Sequence, residues 1–450
     1  MKTIYFLSFA LSLSSITSSQ NRYDVVIDEI MADPTPQVGL PGNEWLELKN
    51  TTTSPINLQN WRLGDATGQS GPMPNFILQP DSFVIVSSAS AAPAMSAFGT
   101  TLSVTSFPSL DNTGDQLFLK DANGKIIHAV SYSVSWYQNS VKANGGWTLE
   151  MIDTKSPCAG NNWKASVDPN GGTPGKKNSV DAMNTDQTPP SLLRTYTIDS
   201  VTIIAVFDEP IDSSLGAAIA NYTIDGGLTI ISVTTLSPLF DRVQLKLNSK
   251  MSLQTVYNLS VLNITDCKGN SVGVNNKAKA GLPEEMNSLN MVVNEILFNP
   301  RSNADDYVEF YNRSNKIFDA SKMYVANRSS NIISSITSIS TRPWLIFPGD
   351  YIVSTENMAS LQTNYLVKNP DNVLEVSSLP SFPDDNGFVL LLNSRGDVTD
   401  EVDYDHSWHF KLIDNVDGVA LERIDPDEPS QDANNWHSAA SAAGYGTPTY

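Results

Sequence analysis

The sequence predicts an all-β chain of tandem β-sandwiches, on three observations: short alternating apolar runs, turn chemistry between them, and a long segment that occurs twice. The runs are rich in β-branched and aromatic residues, as in Trp45-Leu46-Glu47-Leu48, Phe83-Val84-Ile85-Val86 and Leu117-Phe118-Leu119. Period-two alternation over so few residues marks half-buried strands, and no helical periodicity of similar strength competes with it. Between runs, Asp121-Ala122-Asn123-Gly124 supplies the positive φ angles of a tight hairpin.

The repeat runs from Pro108 to Asp153 and recurs from Pro380 at a constant offset of 272, through Gly124/Gly396, Tyr132/Tyr404, Trp136/Trp408 and Glu150/Glu422. One offset held over such a length means a duplicated domain. Upstream, Val25 to Pro34 matches Met291 to Pro300, and Asn43 to Asn50 matches Asp305 to Asn312. Downstream, Asn162-Trp163 answers Asn435-Trp436, and Gly172-Thr173-Pro174 answers Gly446-Thr447-Pro448. Between the copies, Val201 to Phe207, Thr229 to Val233, Val243 to Leu247 and Tyr257 to Val261 are evenly spaced strand-like runs. They read as a smaller immunoglobulin-like sandwich. The expected organisation is therefore a leader at 1–19, a first copy at 20–178, an Ig-like domain at 188–283 and a second copy at 288–450.

Lys2 followed by the apolar run Ile4 to Leu13 and small residues up to Ser19 reads as a secretory signal peptide. It is too short for a stable membrane span, and no later stretch is long and apolar enough for one. The chain is expected to be secreted or held at the cell surface, and monomeric. It carries 48 Asp+Glu against 28 Lys+Arg, a net charge of −20, with the excess concentrated after residue 288. That balance disfavours nucleic acid as a partner, since such binding rests on Lys and Arg against phosphates. Two cysteines, Cys158 and Cys267, are too few for a disulfide framework. They read as two small buried thiols, with a single bridge left open.

Several residues carry chemistry that the pattern must place. Glu29/Glu295, Glu47/Glu309 and Glu150/Glu422 are retained in both copies. Paired carboxylates serve acid/base hydrolysis, but no other reactive group is duplicated with them, so the reading preferred here is loop anchoring through backbone N–H groups. His406 and His409 with Asp403 and Asp405 resemble a metal cluster confined to the second copy, with a solvated acidic strand face the preferred reading. Asp384, Asp385 and Asn386 offer oxygen ligands to a hard cation such as Ca2+, without the regular spacing of a calcium loop; a turn is the preferred reading. Arg395-Gly396-Asp397 sits in a hairpin turn and reads as coincidence. Trp136/Trp408 and Trp163/Trp436 are shared and expected in the core, while Trp61, Trp147 and Trp344 are not shared. No catalytic residue and no cofactor is assigned.

The motifs at 25–50, with Trp61-Arg62-Leu63, Leu78-Gln79-Pro80-Asp81, Asn162-Trp163 and Gly172-Thr173-Pro174, resemble the lamin tail domain of bacterial secreted proteins. The second copy resembles it too, apart from a lost tryptophan and a more acidic last third. The middle segment, with Phe207-Asp208-Glu209-Pro210 and Thr265 to Asn270, is similar to bacterial Ig-like domains. The resemblance implies tandem immunoglobulin-like β-sandwiches used for attachment or display. The expected function is a non-catalytic extracellular or cell-surface binding and structural protein, whose partner is an envelope component, a polysaccharide or another protein. The alternative is an accessory targeting region of a secreted hydrolase, nuclease or phosphoesterase whose catalytic domain lies beyond residue 450.

Overall fold

The computed structural model describes residues 20–158 and 161–450; the expected leader, 1–19, lies outside the described residues. Nearly all regular structure is β, as expected, with only a few short helices among the described residues. The chain divides into two compact units. One holds the described residues up to Thr188 with the segments Leu236–Phe240 and Asp266–Asn270, and the other holds the remainder of the described residues.

In the first unit a six-stranded sheet runs in the order Trp163–Ala165, Leu149–Met151, Val25–Met31, Trp45–Asn50, Phe83–Ser88, Thr101–Val104, with only its last pair parallel. A three-stranded sheet of Arg62–Gly64, Gly114–Lys120 and Ile126–Ser133 contributes to the same core. Alternation does the sorting: Leu46 and Leu48 enter that core with Val84, Val86, Leu117 and Ile127, while Trp45 and Glu47 take the opposite face of their strand. A β-bulge between Ile27 and Glu29 shifts the register at the centre of the sheet. The expected hairpin at Asn123-Gly124 is present. Gly124 has φ +83°, and the Asp121 carboxylate accepts from the N–H groups of Asn123 and Lys125, each at 2.9 Å.

The second unit repeats this sheet. Its order is Val373–Glu375, Tyr351–Thr355, Tyr307–Asn312, Met291–Leu297, Leu421–Arg423, Trp436–Ser438, with the parallel pair again at the same edge and the bulge again at Val293/Glu295. A four-stranded sheet, Ile332–Ser338, Tyr324–Ser329, Asn386–Leu392 and Val398–Asp405, shares its core. The same unit contains a sandwich with its own core, made of the four-stranded sheet Leu192–Asp199, Thr202–Phe207, Arg242–Leu247, Ile230–Leu236 and the three-stranded sheet Tyr222–Ile224, Tyr257–Val261, Lys277–Ala280.

One expectation changes. Cys158 and Cys267 are not separate thiols but a disulfide within the first unit, with Cα atoms 6.1 Å apart, inside the range a bridge requires. The turn Asp266–Asn270 belongs to that unit although 109 residues separate the two cysteines, and pattern reading along the chain has no access to such a return.

Candidate functional site

The duplicated glutamates lie in rows. In the first unit Glu29 is the register partner of both Glu47 and Glu150, so three carboxyl groups stand abreast on adjacent strands, each with no exposed surface. Directly opposed side chains have Cβ atoms only about 5 Å apart, and three buried carboxylates at that spacing do not all ionise. Burial, then the neighbouring Glu150, raises Glu29 well above the usual carboxyl range; burial, then Glu29, does the same to Glu47.

Their partners come from the end of the same domain. Glu29 accepts from the Thr173 N–H at 2.7 Å and the Thr148 hydroxyl at 2.6 Å, and Glu47 accepts from the Gly175 N–H. Glu150 accepts from the hydroxyls of Thr173 at 2.9 Å and Ser179 at 2.7 Å, and from the Val180 N–H at 3.1 Å. The repeated Gly-Thr-Pro thus has a physical basis. A Cβ on Gly172 would meet the Glu29 Oε1 and Thr148 at 2.8 Å, so only glycine lets the segment approach its anchors.

The second unit builds the same device. Glu295 is register partner to Glu309 and Glu422. Glu295 accepts from the Thr447 N–H at 3.0 Å and the Tyr307 hydroxyl at 2.5 Å, Glu309 from the Thr449 N–H at 2.5 Å, and Glu422 from the Thr447 hydroxyl at 2.8 Å. A Cβ on Gly446 would meet the Tyr307 oxygen at 2.6 Å. Glu295 is pushed up to about 7, chiefly by burial. These contacts are those of anchors: the acceptors face main-chain N–H groups and hydroxyls of the closing segment, where a hydrolase would present them to substrate.

The other candidates separate. His409 is buried, holds Ser438 through Nδ1 at 2.9 Å and packs on Phe298, and burial lowers it to about 4. His406 is exposed beside Asp405 at 3.6 Å, while the Asp403 N–H donates to Gln431. The two rings thus make separate contacts. Asp384, Asp385 and Asn386 are exposed at the turn entering a strand, where the Asp385 carbonyl accepts from the His406 N–H at 2.8 Å. Asp384 adds its charge to Asp306, whose carboxyl burial pushes up to about 7, with Glu356 and Asp305 contributing further. Arg395 and Asp397 pair with each other at 3.0 Å across an exposed turn. The shared tryptophans stack in equivalent pairs, Trp136 on Trp163 at 6.1 Å and Trp408 on Trp436 at 6.2 Å, and Trp61 is buried in the first core.

Sequence reasoning missed the hydroxyls of Thr148 and Tyr307 and the groups that cap the bulge. In the first unit the Ile27 N–H donates to His128 Nδ1 at 2.9 Å, and in the second the equivalent Val293 N–H donates to Asp400 at 2.8 Å. Asp400 is paired with buried Arg423 at 3.4 Å, and Arg423 also donates to the Val293 carbonyl at 2.7 Å. The available signal was the constant offset, which aligns His128 with Asp400 and Met151 with Arg423.

With this geometry in place, comparison with known proteins adds one family. The Lamin Tail Domain family matches residues 18–133. No curated protein matches the chain. Among solved structures, the N-terminal part of the bacterial S-layer protein SbsC is similar at 14% identity, covering 37% of this chain and 40% of that one with a TM-score of 0.21. A longer SbsC structure gives 13% identity over 48% of this chain and 41% of that one, at a TM-score of 0.20. A DUF4876 family protein from Bacteroides thetaiotaomicron gives 10% identity over 51% of this chain and 96% of that one, at 0.24. The chain spans about two fifths of the length of the S-layer chains it matches.

Proposed function

We propose that this protein is a non-catalytic, exported binding and structural module in which two lamin-tail-like sandwiches flank an Ig-like domain. One observation carries the reading: the carboxylates retained in both copies, the best candidates for catalysis, are buried apart from the half-buried Glu422, and they hold the Gly-Thr-Pro segments through N–H and hydroxyl donors. The family match at 18–133 and a disulfide, which favours an oxidising compartment, support it.

The test is a pull-down of residues 20–450 against cell envelopes, insoluble polysaccharides and duplex DNA. Saturable retention on envelope or polysaccharide, unchanged by Glu29→Gln or Glu295→Gln variants that remain folded, is the expected result. Turnover of a glycan or phosphoester substrate that these variants abolish while folded would replace the binding reading with a catalytic one.

A further inference from the structure

The second unit gathers positive charge in one place. A cavity of about 470 Å³ there is lined by Arg194, Lys277, Lys279 and Lys368, against only Asp350 and Asp371. In a chain of 28 Lys+Arg and 48 Asp+Glu, four cations to two carboxylates inverts the overall ratio. Three of the cations are laid on aromatic rings, Lys368 on Tyr450 at 4.6 Å among them. The Arg194 guanidinium lies 4.7 Å from the Trp344 ring centre, and the Lys279 ammonium 5.1 Å from that of Phe347. Such stacking holds a cation in place without neutralising it.

The carboxylates on hand offset only part of this charge. Asp350 is engaged by Lys279 at 3.1 Å and by the Phe347 N–H at 2.9 Å. Arg194 gives its hydrogen bond to the Pro343 carbonyl at 3.0 Å, a neutral acceptor. Burial, and then the like charge of Arg342, lower its pKa, with Arg242 adding to this and Tyr196 and the Asp319 carboxylate opposing it, so an anion brought to this guanidinium relieves repulsion from Arg342. Lys277 and Lys368 line the cavity and are exposed.

We propose that this cleft binds a carboxylated saccharide chain. The inference rests on the binding-module reading above and gives it a ligand class and a site. A guanidinium offers a planar fork matched to carboxylate, and lysines add point charges around it. The cavity has the size of a small-ligand site, large enough for a saccharide unit. Duplex DNA fits less well, because it needs many cations along an extended track and this chain has a net charge of −20. A saccharide unit seated in the cleft is shielded from the distant acidic surface, since the screening length is about 8 Å at physiological ionic strength.

The experiment applies residues 20–450, and the double variant Lys277→Ala/Lys368→Ala, to polygalacturonate beads, cellulose and duplex-DNA cellulose. Both lysines are exposed, so the variant is expected to melt with the wild type, and a thermal scan verifies this. The expected result is saturable retention on polygalacturonate, about tenfold weaker in the variant and lost at high salt. Arg194→Lys, which keeps the charge and loses the fork, should also weaken retention. Equal retention of wild type and both variants on polygalacturonate overturns the cleft and leaves the binding module standing. Retention on cellulose or DNA alone overturns the ligand class. Retention on none of these, nor on cell envelopes, overturns the cleft and the binding module together.

Discussion

The two copies of the sandwich solve one problem in two ways. Each has a bulge beside its central glutamate, and the bulge leaves a main-chain N–H without a ladder partner, at Ile27 in the first copy and Val293 in the second. An unpaired buried N–H costs as much as a lost hydrogen bond, so both copies send a side chain across from the facing sheet to accept it. The first uses His128, neutral and buried; the second uses Asp400, a charge that then requires Arg423. A second exchange accompanies it. The hydroxyl on the central glutamate comes from Thr148 in the first copy, where Trp45 stands on the adjacent strand, and from Tyr307 in the second, where Ala420 stands at the threonine position. What the duplication preserves is the donor or acceptor a backbone feature demands, while the residue that supplies it is free to move.

The comparison is open to direct test, and the largest effect is expected at the ion pair. Arg423→Met leaves the Asp400 charge buried without its counter-charge, and should destabilise the second unit by about 3–5 kcal/mol in denaturant unfolding. Adding Asp400→His, which installs the first copy's solution, should recover a substantial part of that loss; no recovery would mean that the two caps are not equivalent.

The next effect is one of pH. The Glu295 proton is held more tightly in the folded chain than in the unfolded one, because its pKa is raised to about 7. Its contribution is therefore fully present below about 4.5 and lost as pH rises through about 7. Wild type should lose up to about 3 kcal/mol relative to Glu295→Gln between pH 5 and pH 8, because each tenfold difference in proton affinity between the folded and unfolded chain is worth about 1.4 kcal/mol. Parallel pH profiles would refute the buried proton.

His128 has the opposite sign. Burial, reinforced by the Arg22 charge, lowers its pKa to about 3, so its contribution is present above its ordinary value of 6.5 and declines as pH falls from there towards 3. His128→Ala should cost about 1–3 kcal/mol at neutral pH, by leaving the Ile27 N–H unpaired, and should remove part of the acid sensitivity of the first unit. The smallest expected effect belongs to the hydroxyl exchange. Thr148→Ala should cost about 1 kcal/mol, and Trp45→Tyr in that background should restore some of it by rebuilding the second copy's arrangement. Failure to restore would show that the strand neighbours Trp45 and Tyr307 are not interchangeable supports.

Part of this was legible beforehand. Leu46 and Leu48 declared their strand by alternation, Asn123-Gly124 declared its hairpin by the φ angles it permits, and Glu29 with Glu295 announced an anchoring role by recurring without any reactive companion. The partners of those glutamates were hidden. Thr173 lies 144 residues from Glu29 and Thr447 lies 152 from Glu295, and periodicity along a strand carries no information across such distances.

By itself the sequence determined the all-β class, the duplication and the glycine of Gly-Thr-Pro, because backbone periodicity, turn angles and internal repetition are properties of neighbouring residues or of one constant offset. Tertiary structure alone decided the Cys158 to Cys267 bridge, the exchange of His128 for an Asp400 to Arg423 pair, and the gathering of Arg194, Lys277, Lys279 and Lys368 in one cleft. Each joins positions far apart in the chain, and only the folded sheets set the distances at which a sulfur, a proton or a charge acts.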